Sequence, residues 1–266
     1  MAAKENRYSR LIEHVFFEHH EPGAISVEFR RSDLAEAART LGIPLPKNLG
    51  DIIYSFRYRS TFPNSIREIA PEGQQWIIRP AGKAKYRFEL ASASRITPSP
   101  RLLEARILDS TPGIIDRYAL SDEQALLAKL RYNRLIDIFT GLTCYHLQSH
   151  LRTHIPDIGQ VEADDLYVGV DRHGAHYVIP VEAKGGTDAL GVVQIEQDFS
   201  LCRAKFPALA VRPVAAQFLR DDAIAMFEFA LDHDEVAIAL EKHYRLVSPE
   251  DLSEEELASY LRPPID

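Results

Sequence analysis

Residues 160–184 constrain the fold of this chain more strongly than any other segment. Residues 160–170 and 176–183 have the length and composition of β-strands, and the tight sequence at residues 171–174 has the composition of a turn. The sequence therefore predicts a β-hairpin. With helical patterns on either side and a further strand at residues 211–218, the order α-β-β-α-β-α predicts a mixed α/β domain. Helices are expected on both sides of its sheet.

Apolar periodicity predicts the elements around this hairpin. Residues 122–155 are expected to form one long helix, or two helices joined near Gly141. Further helices are predicted at residues 189–205 and 221–231. Residues 236–246 are compatible with either a helix or a strand.

Charged residues on the hairpin suggest its chemistry. Residues two apart in a strand face the same way, so Glu182 and Lys184 project together from an apolar strand. Glu162 and Asp164 share one face of the preceding strand, with Asp165 beside them. The hairpin is expected to bring these acids next to Glu182.

Converging carboxylates repel one another unless a cation lies between them, and their hard oxygen atoms select Mg²⁺ or Mn²⁺. Such an ion polarises a phosphoryl oxygen and lowers the pKa of a bound water. A neighbouring lysine can position the attacking water or stabilise the charge that develops on the phosphate. These residue types therefore predict metal-dependent phosphodiester hydrolysis.

An acid followed by Glu-x-Lys on an apolar strand of a hairpin resembles the PD-(D/E)xK nuclease superfamily. This superfamily includes type II restriction endonucleases, Mrr-type enzymes and Holliday-junction resolvases. The resemblance covers about residues 121–220, and Ala163 stands where the superfamily name has a proline. It implies a restriction-endonuclease-like mixed sheet flanked by helices. It also implies a Mg²⁺-dependent endodeoxyribonuclease, with Mn²⁺ able to substitute.

The resemblance also implies roles for individual residues. The first-strand acid and Glu182 would bind the metal, and Lys184 would assist the nucleophile. The first-strand acid is Asp164 or Asp165. Asp164 is favoured because residues 162–164 match a common Glu-x-Asp arrangement, and Asp165 remains open. Glu162 is a further predicted metal ligand.

Two residues on the predicted helices extend this site. Gln194 lies ten residues after Lys184, on the following helix. Several branches of the superfamily place a glutamine there, near the metal or the DNA, so Gln194 is a predicted catalytic residue. Asp137, on the preceding helix, is a candidate for a further acid.

Charge is divided unevenly along the chain. The formal net charge is −8, but residues 1–108 carry 17 Lys and Arg against 12 Asp and Glu. Residues 109–266 carry 14 against 27. Such an asymmetry indicates a charged partner, and the phosphates of nucleic acid suit the basic part.

The elements predicted in residues 1–93 are, in order, helix, strand, helix, turn, helix and hairpin. This order resembles a winged helix-turn-helix domain, in which the third helix enters the DNA major groove and the hairpin contacts the backbone. The resemblance implies a DNA-binding domain at residues 1–93, a linker at 94–112 and a nuclease domain at 113–266. The third helix is expected at residues 47–59, and the hairpin strands at 76–79 and 85–90.

The predicted DNA contacts lie on the polar side of the third helix and on the hairpin. They are Lys47, Asn48, Ser55, Tyr58 and Arg59 on the helix and Arg79, Lys83, Lys85 and Arg87 on the hairpin.

Composition excludes other classes of protein. No apolar run approaches the about 18–20 residues of a membrane span, and the first residues lack the apolar segment of a secretory signal. Two cysteines are too few for a disulfide framework, so a reduced, cytoplasmic protein is expected.

Three expectations about function follow from the sequence. The first is a nuclease of restriction or genome-defence type that acts on double-stranded DNA. Because one site per chain must cut two strands, it is expected to be a homodimer. The alternatives are a DNA-binding regulator with an inactive nuclease-like domain, and a nuclease that acts on RNA or small nucleotides.

Overall fold

The computed structural model describes residues 6–92, 95–119, 123–156, 158–185, 190–219, 222–233 and 235–261. The chain divides into two compact units. Unit 1 consists of residues 1–97, 152–162 and 189–204, and unit 2 consists of residues 98–151, 163–188 and 205–266. Each unit therefore contains segments that are distant in sequence.

Residues 6–97 of unit 1 form four helices and four strands within the described part of the chain. They are α1 (Arg7–His19), β1 (Ser26–Arg30), α2 (Arg31–Thr40), α3 (Gly50–Tyr54), α4 (Asn64–Glu68), β2 (Gln75–Pro80), β3 (Lys85–Ala91) and β4 (Arg95–Ile96). A π-helical turn, Ser55–Arg59, follows α3 directly. Strands β1, β3 and β2 form an antiparallel sheet in that order.

The core of unit 1 follows from the apolar spacing of its helices. Leu11, Ile12, Val15 and Phe16 lie on one face of α1 and are fully buried. The side chain of Asn6 caps this helix by accepting a hydrogen bond from the Tyr8 amide. The hairpin predicted with strands at residues 76–79 and 85–90 is confirmed, because β2 pairs with β3 in an antiparallel arrangement. The third predicted helix begins three residues later than expected and ends in the π-helical turn.

The remaining elements continue in chain order. They are β5 (Glu104–Leu108), α5 (Gly113–Tyr118), α6 (Glu123–Tyr132), α7 (Leu135–Thr140), β6 (Thr143–Ile155), β7 (Gly159–Val170), β8 (His176–Lys184), β9 (Leu190–Gly191), α8 (Val192–Lys205), β10 (Ala210–Val211), β11 (Val214–Phe218), β12 (Ile224–Asp232), β13 (Glu235–Val247) and α9 (Glu254–Tyr260). Strands β4 and β9 pair with each other in unit 1.

Among the described residues, eight strands form one large mixed sheet. Its order is β5-β13-β12-β11-β8-β7-β6, and β10 pairs with β8. Strand β11 runs parallel to β8, and β5 runs parallel to β13, whereas β7–β8, β11–β12 and β12–β13 are antiparallel. The prediction of a mixed α/β protein with a mixed sheet flanked by helices is confirmed.

Two predicted helices are wrong. Residues 122–155 were expected to form one long helix or two helices joined near Gly141. Within the described residues, α6 and α7 are instead separated at Arg134, which has φ of 50°, and α7 ends at Thr140, because Gly141 adopts a left-handed conformation with φ of 68° and caps it. The chain then forms strand β6, which pairs with β7. The helix expected at 221–231 is strand β12. A strand buried on both faces is apolar throughout, and periodicity does not separate it from a buried helix.

The segment predicted as a linker, residues 94–112, contributes to a sheet. Strand β5 lies within it and pairs with β13 from His243 to Val247. Residue 94 lies outside the described residues, as do the predicted starts of the helices at residues 122, 189 and 221.

Two further features bear on the classes of protein considered above. Within the described ranges, no helix is long and apolar enough to cross a membrane. Cys144 and Cys202 are buried free thiols.

Candidate functional site

Three carboxylates surround the ammonium group of Lys184 at the end of β8. Its Nζ lies 3.2 Å from Glu123 Oε1, 3.5 Å from Glu182 Oε2 and 3.9 Å from Asp164 Oδ2. All four residues belong to unit 2. We call them the acid–lysine cluster.

The strand geometry of β7 and β8 assembles this cluster. Glu182 and Lys184 are two residues apart on β8 and share one face. Asp164 comes from the antiparallel neighbour β7, and its Oδ2 accepts a hydrogen bond of 3.0 Å from the Ala183 amide. This backbone contact holds Asp164 beside the Glu-x-Lys segment, as the hairpin predicted.

Helix α6 supplies the fourth member, Glu123, which the sequence analysis missed. Glu123 lies three, four and seven residues before Leu126, Leu127 and Leu130, which are buried. It is therefore an acid in line with the apolar stripe of an amphipathic helix, and this is the signal that could have identified it. Asp137, the helical acid that was predicted, instead accepts a hydrogen bond from the Cys144 amide and pairs with Arg134.

Burial makes the electrostatics of the cluster unusual. Only 4% of the Glu182 side chain and 10% of the Lys184 side chain are exposed. Burial and then the negative charge of Asp164 raise the pKa of Glu182 to about 8. Burial alone would lower the pKa of Lys184, but Glu182, Asp164 and Glu123 raise it. Lys184 therefore stays charged at neutral pH, while Glu182 tends to hold a proton.

The donor chemistry of the cluster fits a hard divalent cation. Asp164 and Glu182 offer carboxylate oxygens, the ligands that such a cation prefers. Across the described residues, however, no three Asp, Glu, His or Cys side chains are arranged to hold a metal. The ammonium of Lys184 supplies the positive charge among these acids.

The two adjacent acids of β7 have different partners. Asp165 is fully buried and accepts hydrogen bonds from Arg131 Nη2 at 2.8 Å and from Ser149 Oγ at 2.6 Å. His146 Nε2 lies 3.2 Å from the same carboxylate. Successive side chains of a strand face opposite ways. Asp165 therefore contacts Arg131, Ser149 and His146 on one face of β7, while Asp164 lies near Lys184 on the other.

The remaining predicted site residues belong to unit 1. Glu162 accepts a hydrogen bond of 2.7 Å from Arg152 Nε. Gln194, near the start of α8, accepts one from the Gly191 amide at 3.3 Å. Their predicted roles as metal ligand and catalytic residue stay predictions.

The predicted DNA contacts of unit 1 divide into exposed and engaged side chains. Lys47, Arg59, Lys83 and Lys85 are exposed. The engaged residues have partners within unit 1. Asn48 donates to Asp51, Ser55 bonds Ser60, Tyr58 donates to Gln197, Arg87 pairs with Glu89, and Arg79 pairs with both Glu89 and Glu196.

Arg79 and the two exposed lysines of the hairpin are expected to respond differently to substitution. Replacing both Lys83 and Lys85 with Gln should weaken DNA binding and lower the slope of log affinity against log salt by about 2. Arg79→Gln should leave that slope unchanged and cost about 1–2 kcal/mol of stability, because Glu89 and Glu196 lose a shared partner. Binding isotherms at several salt concentrations and urea unfolding measure both effects. If Arg79→Gln lowered the slope and the double variant of Lys83 and Lys85 did not, the hairpin lysines would not be the phosphate contacts.

No family model, no curated protein and no solved structure matches this chain.

Proposed function

We propose that this protein is a Mg²⁺-dependent endonuclease of double-stranded DNA, of the PD-(D/E)xK class and of restriction or genome-defence type. The observation that carries the proposal is the convergence of Asp164, Glu182 and Lys184. A carboxyl oxygen of Asp164 and one of Glu182 both lie within 4 Å of Lys184 Nζ. A buried cluster of this kind is costly to fold, and residues with strongly perturbed pKa values cluster at functional sites.

Each residue of the cluster has a defined task in this proposal. Asp164 and Glu182 would hold the cation, and Glu182 would give up its proton on binding it. The bound ion supplies Lewis-acid polarisation of the phosphate and a more acidic water. Lys184 stays protonated, so it donates hydrogen bonds to the water or to a phosphoryl oxygen and stabilises the negative charge that develops there.

Glu123 is a positioning residue in this account. Its Oε1 accepts a hydrogen bond from Lys184 Nζ, and the Glu123 side chain is 39% exposed, so Glu123 orients the ammonium from the accessible side of the cluster. A substrate phosphate approaching from that side would compete with Glu123 for the same donor.

The topology of unit 1 supports a winged-helix-like DNA-binding role. The sheet order β1-β3-β2, with helices before and after β1, is the arrangement expected for that domain type. The exposed Lys47, which precedes α3 by three residues, and the exposed Lys83 and Lys85 of the hairpin offer charge to phosphates. Two copies of the chain would supply one site for each DNA strand.

A DNA-binding regulator with an inactive nuclease-like domain is the second candidate. The observation that favours it is that the Lys184 ammonium already supplies positive charge among the three acids. In that case the cluster would serve only to hold α6 against the end of the hairpin.

Incubation with supercoiled plasmid, linear phage DNA and a structured RNA, each with Mg²⁺ or with EDTA, tests both candidates. The nuclease proposal predicts nicked and linear DNA products with Mg²⁺, none with EDTA, and intact RNA. The regulator predicts salt-dependent DNA binding that persists in EDTA, without product in either condition. Cleavage of RNA but not of DNA would overturn the assignment of the substrate.

A further inference from the structure

Unit 1 contains a pocket of about 430 Å³ that the proposed cleavage reaction does not use. Ligand sites for small molecules typically measure about 300–1,000 Å³. Three arginines line this pocket, Arg57, Arg67 and Arg95, against the one glutamate Glu68. Aromatic side chains, including Phe62 and Trp76, form another part of the wall. The pocket is thus both cationic and aromatic.

Arg57 is a charged group in this wall with unsatisfied hydrogen-bond donors. It is half-buried, and its Nε and Nη2 atoms are shielded from water without a hydrogen-bond partner among the described residues. The indole N–H of Trp76 is in the same condition. Buried donors without acceptors cost free energy, and a charged donor costs more than a neutral one. A ligand that brings acceptors and negative charge into the pocket would offset that cost.

The backbone at Arg57 is also unusual. Residues 55–59 form a π-helical turn, in which the Ser60 amide bonds the carbonyl of Ser55, five residues back. Such turns are rare and occur frequently at functional sites, because the extra residue changes the direction of the side chains that follow. Here the turn lies in the pocket wall and contributes Arg57 and Tyr58 to it. The guanidinium of Arg57 lies 4.9 Å from the centre of the Tyr58 ring.

We propose that this pocket binds a nucleotide, with the phosphate on the arginines and the planar base against the aromatic wall. Inorganic phosphate would satisfy the arginines but would leave the aromatic part of the pocket unfilled. An uncharged ring would leave Arg57 without an acceptor. A nucleotide combines both requirements, since arginine pairs with phosphate and stacking on aromatic rings suits any base.

The nucleotide has two potential sources, a free mononucleotide and a nucleotide within a strand of nucleic acid. The second source rests on the proposed DNA binding of unit 1, whereas the first does not. Both have the same recognition chemistry, so the experiment uses both as separate ligands.

Trp76 makes the test direct, because it is the single tryptophan of the chain and lines the pocket. The protein is titrated separately with deoxynucleoside monophosphates, with inorganic phosphate and with a short single-stranded oligonucleotide. The fluorescence of Trp76, excited at the red edge of its absorption, is recorded at each step. We expect a saturable change with a nucleotide in one or both forms, and at least tenfold weaker binding of phosphate. Saturation by the mononucleotide identifies a free ligand, and saturation by the oligonucleotide alone identifies a strand. No saturable change with either nucleotide form overturns the proposal.

Arg57→Gln is the matched variant, with Arg39→Gln as its control because Arg39 is exposed on α2. Arg57→Gln should weaken nucleotide binding at least tenfold while the melting temperature of the free protein stays equal or rises, because a guanidinium with two shielded N–H groups that lack acceptors is removed. Arg39→Gln should bind as the wild type does. Equal affinities in both variants contradict the site, as does a lower melting temperature of Arg57→Gln with unchanged binding.

Plasmid cleavage by the same two variants separates this inference from the proposed function. If the protein binds nucleotides near Trp76 but does not cut DNA, the proposed nucleotide pocket stands and the proposed nuclease function is contradicted. A chain that cuts DNA but shows no fluorescence change refutes the pocket alone.

Discussion

Glu182→Gln is expected to abolish DNA cleavage and, at the same time, to stabilise the protein at alkaline pH. The amide cannot replace a carboxylate as a metal ligand, so cleavage should fall at least about a hundredfold. The raised pKa of Glu182 means that the folded state prefers the protonated form. Its contribution to stability is complete below the pKa of an unfolded glutamate, about 4.3, and is lost as the pH rises through about 8. Gln does not titrate and avoids this loss.

Urea unfolding at pH 6 and pH 9, together with plasmid cleavage in Mg²⁺, measures both effects. The advantage of Glu182→Gln should grow with pH and reach about 1–3 kcal/mol at pH 9. Glu228→Gln is a suitable control, because Glu228 forms a paired contact with Arg212 at 2.6 and 2.7 Å. That control should lose stability and keep cleavage. A Glu182→Gln protein that cuts at the wild-type rate, or that is less stable than the wild type at pH 9, would contradict the account.

Asp164→Asn and Asp165→Asn are expected to have opposite effects although the two residues are neighbours. Asp164→Asn should change stability by less than about 1 kcal/mol and reduce cleavage at least about a hundredfold, because Asp164 is partly exposed and its role is to hold the cation. Asp165→Asn should cost about 2–3 kcal/mol, because a fully buried carboxylate loses its charge beside Arg131. Where it stays folded, Asp165→Asn should keep cleavage.

Cleavage at a temperature well below both melting transitions separates loss of chemistry from loss of folding. Rates normalised to the folded fraction make the comparison between Asp164→Asn and Asp165→Asn direct. If Asp165→Asn removed cleavage in a fully folded protein while Asp164→Asn retained it, the metal-binding role would pass to Asp165.

The hairpin and the Glu-x-Lys face could be predicted because a period of two residues is a local property. The turn at residues 171–174 sets where the strands end, and alternation then places Glu182 and Lys184 together. The choice between Asp164 and Asp165 was harder, because β7 carries buried residues on both of its faces. It depends on which acid faces the Glu-x-Lys side of the neighbouring strand, and the hydrogen bond from Ala183 to Asp164 reveals this.

Contacts between distant segments explain most of what the sequence did not predict. Strand β6 was mistaken for helix because its strand character depends on pairing with β7. Arg79 was expected to be free for phosphate because counting charges along a hairpin does not reveal Glu196, which is 117 residues further along the chain. Glu123 was missed for a different reason, since its position on an apolar stripe was visible in the sequence but was not used.

The most direct test of the central claim is plasmid cleavage by the wild type and by Lys184→Gln, side by side in Mg²⁺, with folding of both checked by circular dichroism. We expect the wild type to nick and linearise the plasmid, while folded Lys184→Gln leaves it supercoiled over the same time. Cleavage by Lys184→Gln at the wild-type rate would contradict the claim that the acid–lysine cluster is the catalytic centre.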